Sequence, residues 1–232
     1  MDAPNRELSF SFARFADGFD EHIRQSIRGY VDLLSDCVSL SEYFIEDGTT
    51  VFDIGCSTGA FLREIARKNR ARCPSTRYVG IDIEDNFSKY WSEPHSDLMS
   101  LLVADVRTFQ MPERCSFATS IFSLQFVSPR ERQNVLNNIY DALIPGGALI
   151  VAEKTLSRLS KFNDMLTSIY YEFKRRSFTE AEILAKERSL RSVMKLWTEE
   201  QILNALINAG FEDTHMQCFW RNHNFAAFIA LK

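Results

Sequence analysis

Along the chain, apolar residues first recur at helical spacing. Phe19, Ile23, Ile27, Val31, Leu34 and Val38 predict one or two amphipathic helices between Phe19 and Phe44. Gly29 interrupts the run, so a break is expected near Arg28-Gly29-Tyr30. The period then changes. Thr50–Ile54 is a short buried strand, followed by a glycine-containing turn and a helix bearing Phe61, Leu62 and Ile65. Tyr78–Asp82, Leu101–Asp105, Ser116–Phe122 and Ala148–Ala152 are four further strand candidates. A helix from Arg130 to Leu143 opens on Ser128-Pro129 and stops at Pro145-Gly146-Gly147. Residues 156–197 read as helical with no strand signal. Thr198–Ala209 is one more helix ended by Gly210, and Phe211–Met216 with Asn224–Leu231 is expected to form a last antiparallel pair.

Strands alternating with helical stretches imply right-handed βαβ crossovers and a parallel sheet. The expected fold is α/β and Rossmann-like, with one domain spanning 1–232, an N-terminal helical part (1–46) and a helical cap insertion (156–197). The first residues, to about Asp17, are expected to be an arm with little structure of its own. Composition agrees with a globular protein: of 232 residues, 45% are hydrophobic and 25% charged, with a net charge of −4. That balance excludes disordered and collagenous classes and a molecule basic overall. Cys37, Cys56, Cys73, Cys115 and Cys218 are scattered and never spaced Cys-x-x-Cys, which fits reduced thiols in the cytoplasm. No apolar run is long enough to span a bilayer, and the N-terminus lacks a signal-peptide core.

The sharpest chemical signal is Asp53-Ile54-Gly55-Cys56-Ser57-Thr58-Gly59 at a strand-to-helix junction. Glycines there let backbone approach a ligand, and a helix N-terminus offers unpaired N–H groups. A dinucleotide fingerprint needs G-x-G-x-x-G, whereas this spacing is G-x-x-x-G. Asp53, Asp82 and Asp105 fall at the ends of three successive strands. Each alone is an ordinary cap or turn residue; together they resemble the S-adenosylmethionine (SAM) site of class I methyltransferases. That resemblance covers about residues 48–152 and implies a mostly parallel seven-stranded sheet.

A narrower resemblance is carried by Phe19-Asp20-Glu21-His22-Ile23 through Arg28-Gly29-Tyr30, Ser123-Leu124-Gln125-Phe126, Ala152-Glu153-Lys154, Glu172-Phe173-Lys174-Arg175 and Ala181-Glu182-Ile183. These resemble the carboxy-S-adenosylmethionine synthase family. The resemblance implies a transfer of carboxylate from prephenate to the SAM methyl carbon, in a pathway of tRNA wobble-uridine modification. It implies SAM or carboxy-SAM as ligand, a homodimer, and a site in which Tyr30 touches the cofactor from the N-terminal helices. Gly55, Cys56, Ser57 and Gly59 would line the methionine part, Asp82 with Ile83 the ribose, and Asp105 with Val106 the adenine. Two positions depart from the family pattern. Ile121 stands where the family has an Asn, which removes one polar contact. The family's carboxylate-clamping Arg falls on Glu187 without a gap, or on Arg188 with a one-residue slip.

Residues 156–197 carry nine Lys/Arg against five acids, so this segment is +4 while the remainder is −8. Such a cap suits a dicarboxylate or a nucleic-acid backbone, and equally a solvated helical face. His22, His95, His215 and His223 lack metal-ligand spacing, so no metal is expected. Three functions therefore stand side by side: a carboxy-SAM synthase, a conventional methyltransferase of a small molecule or nucleic acid, and a non-catalytic SAM-fold module.

Overall fold

The computed structural model describes residues 18–91 and 97–232. The expectations for the arm up to Asp17 and for His95 lie outside the described residues. Two helices lead, α1 (Phe19–Ser26) and α2 (Tyr30–Phe44), with Gly29 between them at φ 74°. Then come β1 (Thr50–Ile54), α3 (Ala60–Asn69), β2 (Arg77–Asp82), β3 (Met99–Val103), β4 (Cys115–Ile121) and α4 (Pro129–Ala142). The chain continues as β5 (Leu143–Leu156), α5 (Ser160–Lys174), α6 (Glu180–Leu190), β6 (Trp197–Thr198), α7 (Glu199–Ala209), β7 (Met216–Asn222) and β8 (Phe225–Leu231).

The sheet runs β3-β2-β1-β4-β5-β8-β7, with the two-residue β6 beside β5. Strands β1 to β5 pair in parallel and β8 is antiparallel to both its neighbours. Strand pleat sorts the core. On one face Phe52, Ile54, Leu149, Val151 and Phe228 pack with Leu136 of α4 and Leu206 of α7. On the other Val51, Phe117, Ile150 and Ile229 pack with Leu33 of α2 and Leu62 of α3. Both faces are covered, which is why these strands read as continuous apolar runs rather than alternating ones.

The parallel sheet and the helical cap agree with the sequence reading, and three boundaries need correction. The expected strand Phe211–Met216 is instead the approach to β7. Phe211 is buried with its ring edge-on to Tyr140 at 4.9 Å, which anchors the chain before Asp213–His215 turn it into the strand. Strand β3 ends at Val103, so Asp105 lies two residues past it in the following turn. Strand β6 interrupts the end of the cap, pairing Thr155 with Trp197 and Leu156 with Thr198, and makes the sheet eight-stranded. A two-residue strand is too short to leave a periodicity.

Candidate functional site

The C-terminal ends of β1, β2 and β4 open onto a cavity of about 450 Å³, within the range of small-molecule sites. Its floor is the glycine loop. Gly55 and Cys56 both donate their N–H to the Ile81 carbonyl, at 2.8 and 2.9 Å, which hooks the loop over the end of β2. Gly55 has φ 75°, and a Cβ built there would lie 2.0 Å from Ser123 Oγ. Gly80 serves the same packing from below, since a Cβ on it would come within 2.9 Å of the Cys56 Cβ. The glycines therefore let Ser123 and Cys56 pack closely against the loop and β2, which shapes the floor of the cavity.

Asp82 sits at the rim of this floor, nearly buried. One carboxylate oxygen accepts the Ser57 N–H at 2.9 Å and the other the Glu84 N–H at 2.9 Å. Burial raises its pKa, against those two hydrogen bonds. Each oxygen keeps a lone pair for a further donor, the requirement for holding a diol. Asp53 is fully covered beneath the loop and accepts the Thr119 hydroxyl at 2.7 Å. Burial, and then the nearby Asp82, push it up to about 7. The folded chain thus holds a proton on Asp53 that an unfolded carboxyl has released above about 4. Its contribution to stability falls as pH rises from 4 to 7. Urea unfolding of wild type and Asp53→Asn at pH 5 and pH 8 should show the variant gaining on wild type at the higher pH.

The N-terminal helices roof the cavity. Asp20 of α1 accepts the Thr58 hydroxyl with both oxygens at 3.2 Å, tying α1 to the glycine loop. Tyr30 lines the wall near Phe122, with ring centroids 6.2 Å apart, and burial raises its pKa. Asp105 and Val106 line the opposite end, beside Arg107. The Arg107 guanidinium clasps Asp105, with Nε 2.9 Å from each oxygen, and lowers the carboxyl pKa. It also reaches Glu131 at 3.3 Å.

Tyr30, Asp53, Gly55, Cys56, Ser57, Asp82, Ile83, Asp105, Val106 and Ile121 all line this one cavity. Gly59 does not; it forms the N-cap of α3 at φ 76°. Burial beside Asp53 and Asp82 pushes the Cys56 thiol up, which leaves it a protonated packing group rather than a nucleophile. Arg188 departs from expectation: it is exposed on α6 and is not among the lining residues, and neither is Glu187. The Glu187 carboxylate accepts from the Tyr171 hydroxyl and from Arg191 at 3.0 Å. Burial raises its pKa, but those two donors bring it below the usual range.

Lysines stand in the cavity instead. Lys154 of β5, Lys174 of α5 and Lys186 of α6 line it together with His22 of α1. Burial, and then Lys186 and Lys174, lower His22 to about 4, so its ring is neutral at physiological pH. Sequence reasoning did not assign these four to the site, although His22, Lys154 and Lys174 lie in three of the motifs it singled out. Among the described residues no group of three or more His, Cys, Asp or Glu could hold a metal, and no helix is long and apolar enough to cross a membrane.

A family model described as a methyltransferase domain matches residues 51–147. The chain is 34% identical to a carboxy-S-adenosyl-L-methionine synthase of Shewanella halifaxensis, covering 94% of this chain and 90% of that one. It is 31% identical to the enzyme of the same name in Staphylococcus epidermidis, covering 97% of each. Among solved structures it resembles human N-acetylserotonin methyltransferase in complex with SAM, with TM-score 0.61 and 18% identity over 99% of this chain and 60% of that one.

Proposed function

From the premise that the chain belongs to the carboxy-S-adenosyl-L-methionine synthase family, SAM-dependent transferases on a class I methyltransferase fold, we propose that it carboxylates SAM with prephenate as donor. The observation that carries this reading is the cavity itself. It offers the glycine loop and Asp82 to a nucleoside and methionine, and its wall carries lysines that suit an anionic second substrate.

When bound, SAM supplies an electron-poor methyl carbon next to a sulfonium. The residues of the chain have the remaining tasks. Asp82 accepts the ribose hydroxyls, and the Asp105 side facing the cavity meets the adenine with Val106. Tyr30 and Phe122 close the site on its apolar side, and α1, latched by Asp20 to Thr58, keeps water out. The overall transfer balances without a further reagent. Prephenate loses its ring carboxyl group and its hydroxyl and aromatises to phenylpyruvate. The carboxyl carbon replaces one methyl proton, which leaves with the hydroxyl as water.

In this reading the chain acts as one domain, in the cytoplasm, as a homodimer, and its product feeds tRNA wobble-uridine modification. The five free cysteines support a reducing compartment. A second reading, ordinary methyl transfer to an anionic acceptor, is favoured by Ile121 in the cavity wall and by Glu187 being taken up by Tyr171 and Arg191.

Mass spectrometry of the ligand released from purified protein separates the two. The synthase should carry a molecule heavier than SAM by one carboxyl group in place of a hydrogen, and should convert SAM and prephenate to phenylpyruvate. Release of SAM or its demethylated product alone, with no prephenate turnover, would leave the methyltransferase reading standing.

A further inference from the structure

Resting on the synthase reading, we propose that the transferred carboxylate is received by a lysine cluster, Lys154 with Lys174 and Lys186, and that Lys154 is its specificity-determining member.

The three lysines line one cavity from β5, α5 and α6. Lys154 is the one carried by the sheet. Phe122 donates its N–H to the Ala152 carbonyl at 2.7 Å, so β5 and the end of β4 run side by side at the glycine-loop end of the cavity. Two residues further along β5, on the same face, stands Lys154. Its backbone N–H is fixed by the Gln125 side-chain oxygen at 3.2 Å. Its ammonium lies 4.8 Å from the Tyr170 ring centre and 5.9 Å from that of Phe225. Ring faces support the cation and exclude water, yet their π clouds leave its N–H donors directed elsewhere available for a carboxylate. Lys174 is braced in the same way, 5.5 Å from Tyr170 and 5.5 Å from Phe178.

No guanidinium has that position. Arg188 is exposed outside the cavity wall. Arg107 is engaged by Asp105 and Glu131 at the other end, and Arg24, which also lines the cavity from α1, acts on Tyr30 and not on Lys154. The charged groups around Lys154 are Lys174, which repels it, and Glu187, which attracts it; Lys186 completes the cluster, and His22 stands neutral across from it.

A lysine clamp has a signature that an arginine clamp lacks. Burial, and then Lys174, lower Lys154 to about 8, and Glu187 works against that shift. Below that pH the ammonium attracts a carboxylate; above it the amine does not. Arginine stays charged throughout.

Calorimetric titration with SAM and with carboxy-SAM at pH 7 and pH 9.5 tests this, read as the ratio of the two affinities so that groups common to both ligands cancel. Wild type should prefer carboxy-SAM by about tenfold to a hundredfold at pH 7. The ratio should fall toward one as pH rises above about 8. Lys154→Met should bring the ratio near one at pH 7. Lys154→Arg should keep the preference and make it less dependent on pH, with Lys174 and Lys186 still titrating, which carries the test even if the methionine variant does not fold. A preference retained in Lys154→Met, or unchanged from pH 7 to pH 9.5 in wild type, would overturn the proposal. Failure of the synthase reading looks different: no preference in wild type at pH 7 and no prephenate turnover.

Discussion

Replacing Asp82 by alanine is expected to weaken SAM binding by at least about a hundredfold. Two charge-assisted hydrogen bonds to ribose hydroxyls would be lost, each contributing on the order of 1.5–3 kcal/mol. The carboxylate is already aimed by the Ser57 and Glu84 N–H groups, so little ordering is left for the ligand to impose. Those same bonds mean that the substitution also frees two backbone donors at the loop. Calorimetry alongside a thermal melt separates the two effects. A variant that melts near wild type and still binds SAM undiminished would sink the ribose assignment.

The largest effect on stability is expected from Glu153→Ala. Glu153 is 5% exposed and accepts the N–H groups of Leu124 and Gln125 at 2.9 and 3.0 Å. Burial pushes its carboxyl up to about 8, opposed by Arg132 and by those hydrogen bonds. Arg132, 2% exposed, donates to the Val127 carbonyl at 2.8 Å and to the Gln125 carbonyl at 3.1 Å, and stacks on Trp197 at 4.6 Å. Removing the carboxyl group leaves two buried N–H groups without their acceptor, a loss of about 1–3 kcal/mol for each. Urea unfolding should show a lower midpoint. Glu153→Gln, which keeps one acceptor, should lose distinctly less. Equal loss in both variants would mean that charge, not the acceptor pair, is what the loop needs.

The parallel sheet was legible because its strands are buried on both sides. The acids at or just beyond the ends of β1, β2 and β3 were legible too, and the fold brings Asp53, Asp82 and Asp105 to one cavity from distant parts of the sequence. The substrate end was not. Lys154, Lys174 and Lys186 come from three elements whose relative placement depends on how the cap folds back, and charge counting over residues 156–197 cannot tell which lysines face inward. Arg188 illustrates the limit. The family resemblance, with a one-residue slip, offered it as a clamp, but helix phase turns it to solvent and turns Lys186 inward. The strand at Phe211 failed for a local reason: one buried aromatic after a helix-stopping glycine reads the same whether it begins a strand or anchors a loop.

Glu153 and Lys154 are neighbours in sequence and face opposite sides of β5, one bracing the scaffold and the other lining the cavity. Strand β5 is also pinned along its length, to β4 by Ala148↔Phe117 through Ala152↔Ile121 and to β8 by Ala148↔Leu231 through Lys154↔Phe225. Deleting or inserting one residue between Gly147 and Glu153 would shift the pleat by one step. The ammonium would then point into the apolar layer under α4 and the carboxylate toward the anion site, reversing its charge. For this stretch of chain, residue count is therefore a stricter constraint than residue identity, and engineering of substrate preference must work by exchange of side chains at constant length.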